Sequence, residues 1–127
     1  MRVVLGGRCA TAAASRFAAE QLVPPIIVCV PGAEAGEMGH FLRVEPEGVA
    51  DVQIKSAADG RGLIVHTFNL TYEAQSLRLA FAAGQPVGAW ACSPIEEDGE
   101  ALPISPDGMV VQAPPRSHAC ARIVFTP

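Results

Sequence analysis

The chain has 127 residues, enough for one domain with its own core, or one domain and a leading piece. Half of its residues are hydrophobic, 17% are charged, and the net charge is −4 with nine Lys and Arg scattered along the chain. No basic block is present, which sets nucleic-acid binding aside; the charged fraction, against about 25% in an ordinary domain, implies a surface partly covered by another domain or a partner.

In chain order, Met1 to Arg8 holds too short an apolar run for a secretory signal. Residues 2–5 could form a short strand. Cys9 to Leu22 is Ala-rich and helix-compatible, with a helix expected over about 11–22. Ala13, Phe17, Ala18 and Leu22 would share one face, and Thr11 or Ser15 could cap it. Pro24-Pro25 stops the helix. Leu22 to Val30 is too short to span a bilayer, so no membrane association is expected. Residues 26–30 read as a short extended segment and 31–39 as a loop. With no export signal, a cytoplasmic chain is expected.

His40 to Val44 reads as a strand, followed by a turn at Glu45-Pro46-Glu47-Gly48. Val49 to Leu70 is the centre of the chain. It reads as a β-hairpin around Asp59-Gly60, a strong hairpin step. Its first arm alternates. Its second, Leu63 to Leu70, is apolar on both faces, as expected of a central strand covered on both sides. Further strands are expected over Gln75–Ala82, Val87–Cys92, Met109–Ala113 and Ala119–Phe125, with a brief edge segment at 102–104. Ser93 to Glu100 is acidic and reads as a solvated loop. Trp90, between two alanines, reads as core. Short strands separated by turn signals imply an all-β antiparallel sandwich with one short N-terminal helix.

Cys9, Cys29, Cys92 and Cys120 are widely spaced and are expected to be reduced, mostly buried thiols. A zinc site wants closer ligand pairs, and His118 with Cys120 is the single close His/Cys pair. No metal site and no cofactor are expected. Asn69-Leu70-Thr71 is a glycosylation sequon that would matter only in a secreted protein.

The hairpin also carries a resemblance. Val52 to Asn69, with Ile54-Lys55-Ser56-Ala57-Ala58-Asp59-Gly60-Arg61-Gly62-Leu63-Ile64-Val65 and then Asn69, resembles the C-terminal β-sandwich region of glycoside hydrolase family 38, the α-mannosidases. His66 stands where the family usually has Arg. Pro94-Ile95-Glu96 stands where relatives often have Leu-Leu-Glu. Gly108 to Gln112 and Pro115 to Val124 resemble the family's closing strands, without its closing acidic residue near Ser117-His118. Upstream, Gly7-Arg8-Cys9 replaces a His-x-Gly. The resemblance implies an immunoglobulin-like or galactose-mutarotase-like accessory domain. It implies that residues 1–36 are the tail of a preceding domain and a linker, and that 37–127 are the C-terminal sandwich.

Glycoside hydrolysis needs two placed carboxylates, and none of the thirteen acids stands in a recognisable catalytic context. In the family, the nucleophile and the divalent-metal ligands belong to an N-terminal catalytic domain that these residues do not include. The resemblance therefore implies an inactive accessory piece whose partner is the catalytic domain of the parent enzyme. Asn69, His66 and Glu96 are the candidates for bordering a cleft that holds mannose-containing carbohydrate. Asn69 could equally be a buried amide holding backbone groups at a strand end. Two rival readings stand beside this one. A free-standing carbohydrate-binding module would have to use Trp90 or Tyr72 against sugar rings. A structural immunoglobulin-like interaction domain is compatible with the strands, although Cys29, Trp90 and Cys92 lack immunoglobulin spacing.

Overall fold

The computed structural model describes residues 11–23 and 39–126. The expected strand at 2–5, the extended segment at 26–30 and all but the end of the 31–39 loop lie outside them. One helix is described, α1 (Thr11–Leu22). Eight strands follow: β1 (Leu42–Glu45), β2 (Ala50–Ser56), β3 (Leu63–Asn69), β4 (Gln75–Phe81), β5 (Pro86–Cys92), β6 (Asp98–Ala101), β7 (Met109–Ala113) and β8 (His118–Phe125).

The hairpin forms as its turn chemistry requires. β2 and β3 pair antiparallel from Ala50 opposite Asn69 to Ser56 opposite Leu63. Ala57 N–H closes the loop on the Gly62 carbonyl at 3.0 Å. Gly62 sits at φ 81°, where L side chains are strained. A Cβ there would also lie 2.1 Å from the Ile123 carbonyl oxygen of β8. Only glycine lets the hairpin enter the sheet this close to its neighbour.

The strands form two antiparallel sheets, ordered β1-β4-β7 and β2-β3-β8-β5-β6. Period-2 alternation decides which side of each strand is buried. On β7, Met109, Val111 and Ala113 are buried while Val110 and Gln112 are exposed. On β4, Leu77 and Leu79 are fully buried. Val65, Ala89, Ala121 and Ile123 of the larger sheet meet Leu79, Met109 and Val111 of the smaller one in a single cluster. The two sheets thus share one core. Val44, Val52, Phe81 and Phe125 pack around its margin. The Phe81 and Phe125 rings meet edge to face at 5.1 Å between centroids, closing one end.

Two sequence expectations are corrected. The acidic stretch is not simply a solvated loop: its second half, Asp98–Ala101, is β6, paired to β5 through Trp90 opposite Ala101 and Cys92 opposite Asp98. Trp90 is not in the core. It lies opposite Arg122, on the side of β5 away from the core residue Ala89, and its ring covers Gly88. The helix forms where expected, but its apolar residues are not covered by the described residues: Phe17 and Leu22 are exposed. It lies against β2, where the Ser15 hydroxyl donates to the Asp51 carboxylate. No helix among the described residues is long and apolar enough to cross a membrane.

Candidate functional site

The face of the larger sheet turned away from the core carries most of its polar chemistry. Alternation puts Val65 and Asn69 of β3 inward and Ile64, His66 and Phe68 outward. The register then aligns Asp51, Gln53 and Lys55 of β2 with Phe68, His66 and Ile64. On the other side, His118, Cys120 and Arg122 of β8 align with the same three residues. The strands thus lay three ranks of outward side chains across the sheet.

Half of this face is roofed. The connection from β5 to β6 folds back over Ile64 and Arg122, which are 0% and 2% exposed. Arg122 holds this roof with its whole guanidinium. Its Nε donates to Asp98, one terminal nitrogen to Asp59 (2.9 Å) and the Arg61 carbonyl (3.1 Å), and the other to the Glu96 carbonyl (2.8 Å). A planar fork of five donors suits this better than an ammonium would. Burial alone would push the Arg122 guanidinium down, but the bonds to Asp98 and Asp59 outweigh it and hold it above its ordinary value. Asp59 is held down at about 2, first by the Arg61 backbone N–H, then by the Arg61 and Arg122 side chains.

Glu96 is the clasp of the roof. Its carboxylate accepts from the Lys55 ammonium and from the Ala58 N–H (2.7 Å). The Lys55 bond, with the Ala58 N–H behind it, holds the carboxyl below its usual range. The backbone reaches this position at φ 68°, unusual for a residue with a side chain. Ser93 fixes the loop: its carbonyl accepts from Glu96 N–H at 2.9 Å and its hydroxyl from Glu97 N–H at 3.1 Å.

The other half is open. Asp51, Gln53, Lys55, His66, Phe68 and His118 line a hollow of about 280 Å³, with Pro94 on its roofed side. Nδ1 of His66 lies 3.0 Å from Sγ of Cys120. The Phe68 and His118 rings lie 4.7 Å apart, and the Arg116 guanidinium sits 5.5 Å from the centroids of both Phe68 and Tyr72. The hollow therefore combines donors and acceptors of both charges with one aromatic flank.

The structure brings two of the three predicted residues to this face. His66 lines the hollow, and Glu96 stands at its roofed side through Lys55. Asn69 is elsewhere. It is 0% exposed, on the inward side of β3. Its amide donates to the carbonyls of Glu73 (2.7 Å), Ala113 and Pro114 (both 3.0 Å). Its carbonyl accepts from the Thr71 N–H and hydroxyl, both at 2.8 Å. It ties the end of β3 to two turns, and its polar atoms are satisfied by the protein.

The carboxylates nearest this face are engaged. Asp59 and Asp98 share Arg122, Glu96 holds Lys55, and Asp51 accepts from Ser15. Among the described residues, no group of three or more His, Cys, Asp and Glu is placed to hold a metal ion. Arg122 is the residue that sequence reasoning passed over. Its outward position on β8 was legible, but its acceptors lie 24 to 63 residues away in sequence. Comparison with family models, curated proteins and solved structures finds no match to this chain.

Proposed function

We propose that this chain is a non-catalytic β-sandwich domain of an α-mannosidase-like glycoside hydrolase, of the immunoglobulin-like or galactose-mutarotase-like accessory type, bracing a catalytic domain in the cytoplasm. The observation that carries the reading is an open apolar seam between the sheets. Phe41 and Ile54 stand 46% and 42% exposed. With Leu42, Val44, Val52 and Arg16 they line a hollow of about 680 Å³ where α1, β1 and β2 approach one another. An apolar seam of this kind, in a chain only 17% charged, favours a covering domain. The engagement of Asp59, Asp98 and Glu96 in ion pairs supports a bracing role rather than hydrolysis, which would need a pair of carboxylates free to face a sugar.

The same reading lets the outer face border carbohydrate, with His66 and Glu96 as the contributing residues and Asn69 as the tie behind them. The open hollow also favours a second reading, a carbohydrate-binding module that acts alone. Its mixture of Gln53, Asp51, Lys55 and His118 beside Phe68 suits a neutral polyhydroxyl ring.

The test compares hydrolysis of an aryl α-mannoside by the 127-residue chain and by the native polypeptide captured with an antibody to this domain. The chain alone is expected to be inactive and the native polypeptide active. Turnover by the chain alone, or none by either, would overturn the proposal. A saturable response of the inactive chain to mannobiose, with no activity in the native polypeptide, would favour the free-standing module.

A further inference from the structure

One rank of the outer face carries a second kind of chemistry. It runs through His66 on β3, Cys120 on β8 and Cys92 on β5, each directly opposite the next. Directly opposed residues on antiparallel strands project to the same face. Their Cα atoms stand about 4.5 or 5.5 Å apart, depending on the kind of pair. Both spacings fall inside the roughly 4.4–6.8 Å that a disulfide spans. Both thiols are free, Cys120 buried and Cys92 half-buried. Cys120 has a base in reach, the Nδ1 of His66 at 3.0 Å. The charged groups around the pair are Arg122, Asp98, Glu96 and Lys55.

We propose that Cys92 and Cys120 are a peroxide-responsive pair that closes to a cross-strand disulfide, with His66 as the base that readies Cys120. This inference stands on the register and the imidazole contact, and does not depend on the accessory-domain reading.

The more exposed thiol takes the oxidant. The Cys92 thiolate attacks one oxygen of hydrogen peroxide, the O–O bond breaks, and hydroxide leaves a sulfenic acid. His66 Nδ1 then accepts the Cys120 proton. The Cys120 thiolate attacks the Cys92 sulfur, and hydroxide leaves as the S–S bond forms. The two thiol protons and the two hydroxides make two waters, so two thiols and one peroxide give one disulfide. A dithiol reductant reverses the bond by exchange. Burial, first, and the neighbouring Cys120 push the Cys92 thiol up to about 11, so the first step is slow at neutral pH. In the oxidised chain Cys120 has no S–H to offer, and His66 is released toward the hollow that it lines.

The experiment is peptide mapping of the whole 127-residue chain after hydrogen peroxide, without reduction. A Cys92–Cys120 bridged peptide, lighter by two hydrogens and restored by dithiothreitol, is expected. His66→Gln should slow the second step, decay of the Cys92 sulfenic acid to the disulfide, by roughly a hundredfold, the low end of what a placed base supplies. In that variant dimedone should trap Cys92 as the accumulating sulfenic acid. Cys92→Ser, at the half-buried position, should abolish the bridge even if Cys120→Ser does not fold. No bridge in the folded wild-type chain, or bridges to Cys9 or Cys29 in its place, would overturn the proposal. Equal rates of sulfenic-acid decay to the disulfide with and without the imidazole would overturn the role of His66.

Discussion

Arg122 and Asn69 do for this fold what a disulfide or a metal does in a smaller one: each holds segments far apart in sequence. Removing Arg122 would leave Asp59 and Asp98 to the exposed Arg61 side chain and take the guanidinium donor from the Arg61 and Glu96 carbonyls. Stripping one partner from a buried charge network is strongly destabilising. Arg122→Ala is expected to lower the melting temperature far more than an exposed control such as Arg78→Ala, and equal shifts would show that the network contributes little. Asn69→Ala breaks five hydrogen bonds at a fully buried site. It is expected to cost on the order of 3 kcal/mol in chemical denaturation. In a full-length enzyme it should lower turnover only as far as it lowers the folded fraction; a loss of turnover at full stability would give Asn69 a part in the site. The pH dependence has a definite sign. Asp59 titrates near 3.8 when unfolded and at about 2 when folded, so its contribution is complete above that range and is lost as pH falls through about 2. Glu96 shifts in the same direction. Acid unfolding of Asp59→Asn is therefore expected to be shallower than wild type in this window, and identical acid titrations would contradict the assignment. The Asp-Gly turn was legible in the sequence, but the pairing of its carboxylate with a guanidinium 63 residues away was not.

At the scale of elements, local signals did well where turn chemistry and alternation agreed. The central hairpin, β4, β7 and β8 lie within a residue or two of expectation: turn residues lie at or near their boundaries, and β7 alternates residue by residue. β6 was missed because Asp98-Gly99-Glu100-Ala101 has no apolar alternation; it is an edge strand, exposed throughout, held by pairing to β5. Trp90 was misplaced because a tryptophan between alanines signals burial without saying on which face. Gly62 shows the opposite case, where the sequence marks a turn but not the carbonyl it must clear. Gly62→Ala combines positive φ with a 2.1 Å approach to Ile123 O. A loss on the order of 2 kcal/mol is expected from urea denaturation, and a neutral result would mean that the hairpin can pivot away from β8. In the core, Leu79→Ala removes a fully buried side chain from the cluster joining the sheets and should cost about 2–5 kcal/mol.

For the whole molecule, two sheets bury Val65, Leu79, Ile123 and their neighbours in one core, and the seam at Phe41 and Ile54 leaves further apolar surface exposed. Composition gave notice of this excess without locating it, since a low charged fraction does not say which strands leave a gap. That seam is where the proposed catalytic domain would rest. The most direct measurement is the mass of the native polypeptide recognised in the source cell by an antibody to this domain. A band far above the 13.2 kDa of this chain is expected, with the seam residues protected from labelling in the native polypeptide. A band at 13.2 kDa would contradict the account and leave the chain to act alone.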